Sequence, residues 1–179
     1  MRAYYVAPIP PLHIISGAAF NTFTTYQSIS PAPDIKLPAN ILEPGTQIEL
    51  KARGQFSNTA TPTLSIGFFI GTAATIPIGQ SAAITTTTGA TAWPWQIEYE
   101  GRVRAVGTAA IGTIEGQGRI DLGTSLTAMT SQFTPTTLAL RTVLFDTTIE
   151  KVVGVGAAWG TSSVSNTITT TFFSVQIVS

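Results

Sequence analysis

The chain contains no cysteine, which removes disulfide frameworks, thiolate metal sites and cysteine nucleophiles together. Its one histidine, His13, has no acidic residue within twenty positions on either side. Neither an oriented general base nor a converging set of metal ligands is indicated there. Charged residues make up 10% of the chain, where an ordinary soluble domain carries about a quarter. Nine basic and nine acidic residues cancel. The excess of Lys and Arg that phosphate binding needs is therefore missing, and no nucleic-acid partner is expected. No apolar run approaches the roughly 18 residues of a membrane helix. Pro8, Pro10 and Pro11 interrupt what would be the apolar stretch of a signal peptide, so neither a membrane association nor an export signal is expected.

Threonine fills the place of the missing charge, with thirty among 179 residues. It is a strand former whose methyl packs while its hydroxyl stays wet. A neutral, hydroxyl-coated chain of slightly positive mean hydropathy suits a subunit whose faces are covered by neighbours. The length suits one domain, since domains cluster at about 100–200 residues.

Residues 1–33 stand apart as an extended, Pro-rich N-terminal arm, because Pro8, Pro10, Pro11, Pro31 and Pro33 fix φ and remove backbone donors. Tyr4, Tyr5, Ile9, Leu12 and Ile14 are its candidate partner-binding residues. The alternative is a segment tucked onto its own domain, with Phe20–Tyr26 as a short strand. Residues 34–179 read as a single all-β domain. After Pro44-Gly45 the pattern alternates: Ile48, Leu50, Ala52, Gly54 and Phe56 share one face, and Glu49, Lys51, Arg53 and Gln55 the other. Leu64, Ile66, Phe68 and Ile70 mark the next strand. Residues 72–91 say little, and the Thr85–Thr88 run reads as an edge or loop. The longest signal places Trp95, Ile97, Tyr99, Gly101, Val103 and Ala105 opposite Gln96, Glu98, Glu100, Arg102 and Arg104. A partner strand follows around Ile114–Ile120, with others near Leu138–Leu144, Thr148–Ala158 and Thr167–Val178. No apolar residues hold helical spacing over three turns. About eight antiparallel strands with short turns predict a β-sandwich of jelly-roll type with little or no helix.

Glu98 and Glu100 lie two apart on one strand, about 7 Å from each other, a separation that two glycosidase carboxylates would tolerate. The same face carries Arg102 and Arg104, with Glu115 and Arg119 expected next door and Glu49, Lys51 and Arg53 on another neighbour. Cross-strand pairing explains all of these charges together. They are read as a charged, partner-facing sheet surface that holds half of the chain's charges, and no catalytic residue, metal ligand or cofactor is expected. Trp93, Trp95 and Trp159 raise a carbohydrate-binding alternative. Strand alternation instead assigns Trp93 and Trp95 to the core.

Leu37–Thr46, the Ile48–Phe56 strand, Thr61-Pro62-Thr63-Leu64 and Trp159–Thr169 together resemble small jelly-roll structural proteins of tailed bacteriophages, of the head-decoration or minor structural type. The resemblance spans roughly residues 35–178 and leaves residues 1–33 uncovered. It implies a non-enzymatic virion protein assembled in the host cytoplasm. Such a protein acts as a homo-oligomer, most often a trimer, on the major capsid protein or other virion proteins. A capsid decoration or cement role leads, and a tail, baseplate or fibre position is the alternative.

Overall fold

The computed structural model describes residues 16–109 and 111–178. Twelve strands occur among them: β1 (Gln27–Ser28), β2 (Ile35–Leu37), β3 (Gln47–Ser57), β4 (Thr63–Ile70), β5 (Ile76–Ile78), β6 (Ile84–Thr85), β7 (Trp93–Ala105), β8 (Gly112–Gly123), β9 (Met129–Thr134), β10 (Thr142–Phe145), β11 (Lys151–Trp159) and β12 (Thr167–Val178). Eight of these have four or more residues, in line with the sequence expectation. The only helical turns among the described residues are 3₁₀ segments at Thr72–Ala74 and Leu138–Arg141.

All pairings are antiparallel and fall into two sheets packed face to face. One runs β12–β3–β7–β8, with β9 and β10 both on the far side of β8. The other is built on β11 and β4, extended by β1, β2, β5 and β6. Ser57 pairs with Thr167 and Leu64 with Trp159. The β3–β4 and β11–β12 connections therefore cross between the sheets side by side, as in the wind of a jelly roll.

Alternation produces this core directly. Ile48, Leu50, Ala52 and Phe56 on β3 and Trp95, Ile97, Tyr99 and Val103 on β7 are all buried. They meet Leu64, Ile66, Phe68, Val153, Val155 and Trp159 from the other sheet. The rings of Phe68 and Phe173 stack across the gap with centroids 6.0 Å apart. Gly54 leaves room for this packing, since a Cβ there would lie 2.6 Å from Trp95 Cζ2 and collide with the Thr169 carbonyl.

The two sheets differ on their outer faces. On β4 and β11 most outward positions are buried as well, including Phe69, Gly154 and Gly156. The chain covers this face itself. Tyr26 donates a hydrogen bond from its hydroxyl to the Phe68 carbonyl (3.2 Å), and Val155 N–H donates to Ser30 Oγ (2.7 Å). Burial raises the Tyr26 phenol well above its ordinary pKa. The outer face of the β12–β3–β7–β8 sheet has no such cover among the described residues.

Two expectations need correction. The stretch Leu138–Leu144 is not one strand: residues 138–141 form a 3₁₀ turn and only Thr142–Phe145 pair, with β8. Of the arm 1–33, the described part, residues 16–33, is built into the sandwich. Phe23 and Ile29 are buried in the core, β1 pairs β11, and Phe20 bridges to Ile168. The apolar side chains of this segment stabilise it on its own domain, which outweighs the extending effect of its prolines. Tyr4, Tyr5, Ile9, Leu12 and Ile14, and His13 with them, lie outside the described residues.

Candidate protein-docking face

Strand register assembles the charged residues into rows. Lys51 on β3 stands opposite Glu98 on β7, which stands opposite Arg119 on β8. This row alternates in sign. The next row sets Glu49 opposite Glu100, and the third sets Arg102 opposite Glu115. Like charges directly opposite destabilise a ladder by a few tenths of a kcal/mol, so the Glu49–Glu100 pair is not there for folding.

These rows surround an open depression of about 660 Å³ lined by Glu49, Lys51, Glu98, Glu100, Arg102, Arg104, Glu115 and Arg119, together with Phe133 and Arg141. Arg53 stands apart from it. Its guanidinium lies over the Phe172 ring, 6.0 Å from the centroid. The face is therefore largely the one expected from the alternation, with two residues that pattern did not point to. Phe133 belongs to β9, where Ser131 interrupts the one side bearing apolar residues and Thr130, Gln132 and Thr134 fill the other, so the strand signal is weak. Arg141 comes from the 3₁₀ turn.

Local pairing uses only some of these charges. Arg104 directs Nε and Nη2 at one Glu115 oxygen, each at 2.8 Å, and Lys51 lies 3.8 Å from Glu49. Arg119 donates to Asp121 Oδ1 (2.8 Å) and Ser131 Oγ (2.9 Å), Gln96 donates to Asp121 Oδ2 (2.9 Å), and Ser131 also donates to Asp121. Burial works against charge on Asp121. The hydrogen bonds from Ser131, Gln96 and Arg119, with the Arg119 charge, outweigh it and hold the carboxyl below its ordinary pKa. Glu98, Glu100 and Arg102 form no ion pair among the described residues. Exposed ion pairs contribute at most about 1 kcal/mol. This concentration of charge thus adds little to stability, but it offers a patterned surface able to orient a partner.

An apolar margin borders the charged rows. Phe133 is 81% exposed and Leu138 78%, with Leu140 and Leu144 about half exposed beside them. Beneath the face, Tyr99 is buried and its hydroxyl lacks a hydrogen-bond partner among the described residues. Burial, with a smaller contribution from the Glu115 charge, pushes its phenol well above the ordinary tyrosine range.

Trp93, assigned to the core by alternation, is only partly buried and packs against the core's margin. Trp95 and Trp159 are buried, and Phe56 packs against Trp93 and Trp159 with centroids 6.4 Å away in each case. Among the described residues no three His, Cys, Asp or Glu side chains converge as metal ligands, and no helix is long and apolar enough to cross a membrane.

The fold defines the class, an all-β protein made of two antiparallel sheets. Beyond that class, comparison with known proteins shows no match to a family model, a curated protein or a solved structure.

Proposed function

We propose that this chain is a structural subunit of a bacteriophage virion, of the capsid decoration or cement type, acting by protein docking and not by catalysis. The observation that carries this reading is the asymmetry of the sandwich. One outer sheet face is covered by the chain's own segments, while the other is left open, holds half of the chain's charges and is edged with exposed apolar side chains. A specific interface buries about 800 Å² per partner. Repetition over a shell would multiply weak contacts by effective concentration. The virion setting rests on the resemblance of Leu37–Thr46 and Trp159–Thr169 to phage structural proteins noted in the sequence.

The test is retention of the purified chain on undecorated phage heads after dilution, with electron microscopy to locate it. Arg102→Glu combined with Arg104→Glu should lower retention at least tenfold. Stability should change little, since exposed substitutions usually stay within about 0.5 kcal/mol. A chain that binds no head, or a double variant retained as well as the wild type, would refute the reading.

A further inference from the structure

The outer edge of β9 is unpaired among the described residues, and its burial pattern is open along almost the whole strand. Sheet edges are normally blunted by charge, by proline within the strand, by a bulge or by a cover. β9 has none of these. Its register against β8 is unbroken, its proline comes only after it, and no charged residue occurs from Leu122 to Leu140.

We propose that β9 is a self-pairing edge. A second copy of this chain adds its own β9 antiparallel, about a two-fold axis at Ser131. Three features of the strand favour a second copy over a foreign segment. First, a two-fold axis sets the residue on it against its own image and brings the two copies of its neighbours close together, which an uncharged edge tolerates and a charged one does not. Second, Met129, Ser131 and Phe133 share the outer face with Asp121 and Arg119. With Ser131 on the axis, Met129 of each copy falls opposite Phe133 of the other, and the two thioether–aromatic contacts cover side chains 55% and 81% exposed. Third, Leu138 and Leu140 follow β9 as exposed apolar side chains. Phe133 alone offers on the order of 150 Å² toward the roughly 800 Å² per copy of a stable dimer. The contact closes with two copies, so a three-fold ring would use another surface. It holds whether or not the chain belongs to a virion.

The experiment uses the purified full chain without any shell. Sedimentation should show a dimer, and Phe133→Asp, at a position too exposed to disturb folding, should weaken it at least tenfold. Because the chain has no cysteine, Ser131→Cys introduces its sole thiol. Directly opposed residues of an antiparallel pair have Cα atoms about 4.5–5.5 Å apart, within disulfide reach. Mild oxidation should cross-link Ser131→Cys and leave Val164→Cys, at an exposed position in the β11–β12 connection, uncross-linked. A wild-type chain that stays monomeric at about 100 μM, a dimer indifferent to Phe133→Asp, or equal cross-linking of the two cysteine variants would overturn the proposal.

Discussion

Replacing Asn58 with alanine tests how the two loops at one end of the sandwich are held. Asn58 is 3% exposed and Thr86 3% exposed. Asn58 Nδ2 donates to Thr86 Oγ1 (2.7 Å), Thr86 Oγ1 donates to the Pro62 carbonyl (2.7 Å), and Ala90 N–H donates to Asn58 Oδ1 (3.1 Å). The alanine variant loses two hydrogen bonds, at about 0.5–1.5 kcal/mol each, and leaves the buried Ala90 amide without its side-chain acceptor, a penalty of about 1–3 kcal/mol. These contributions overlap, so a total near 3 kcal/mol is expected. For a chain of this length about 1 kcal/mol corresponds to roughly 2–4 °C, giving a fall in Tm of about 6–12 °C. Thr86→Val should cost less, because the Pro62 carbonyl keeps the Thr86 N–H at 3.0 Å. The double variant should cost less than the sum, since both changes break the shared bond. Thermal and urea unfolding measure all three. A loss below about 1 kcal/mol for Asn58→Ala, or strict additivity, would show that the network does not hold the loops.

Gly54→Ala should destabilise by at least the 1–3 kcal/mol typical of overpacking, because the new methyl meets the Trp95 ring and the Thr169 carbonyl; an unchanged urea midpoint would refute the packing argument. Asp121, with its lowered pKa, contributes stability that is complete above the unfolded carboxylate value of about 3.9 and is lost as pH falls below it. Asp121→Asn should therefore flatten the decline in stability on acidification, as followed by circular dichroism, and an identical acid profile would exclude this role. Acrylamide should quench the native tryptophan emission weakly, and cell-wall sugars should not change it. Saturable quenching by a sugar would reopen the carbohydrate reading.

Long one-sided strands were legible in the residues because their burial has a period of two. Ile48–Phe56 and Trp95–Val103 alternate against charged positions, and folding placed them as that pattern implies. β12 departs from this regularity. Ile168 and Thr170 are buried and then Phe173 and Val175, so the parity reverses at a bulge between Thr170 and Phe172. A bulge is a property of the ladder, not of any residue in it. β9 escaped notice because an edge strand open on both faces has little apolar periodicity to detect. Thr86 likewise sat in what reads as a featureless threonine run, yet its hydroxyl is tied to a loop 24 residues away.

The amino-acid order by itself therefore determined the secondary-structure class, the inward faces of the long strands and the gathering of charge on three of them, since all three follow from local alternation. Tertiary structure alone decided which outer face stays open, which strand lies at the edge, and that Phe133 and Arg141 join the charged rows. Those outcomes depend on strand order and register, set by contacts between segments far apart in the chain.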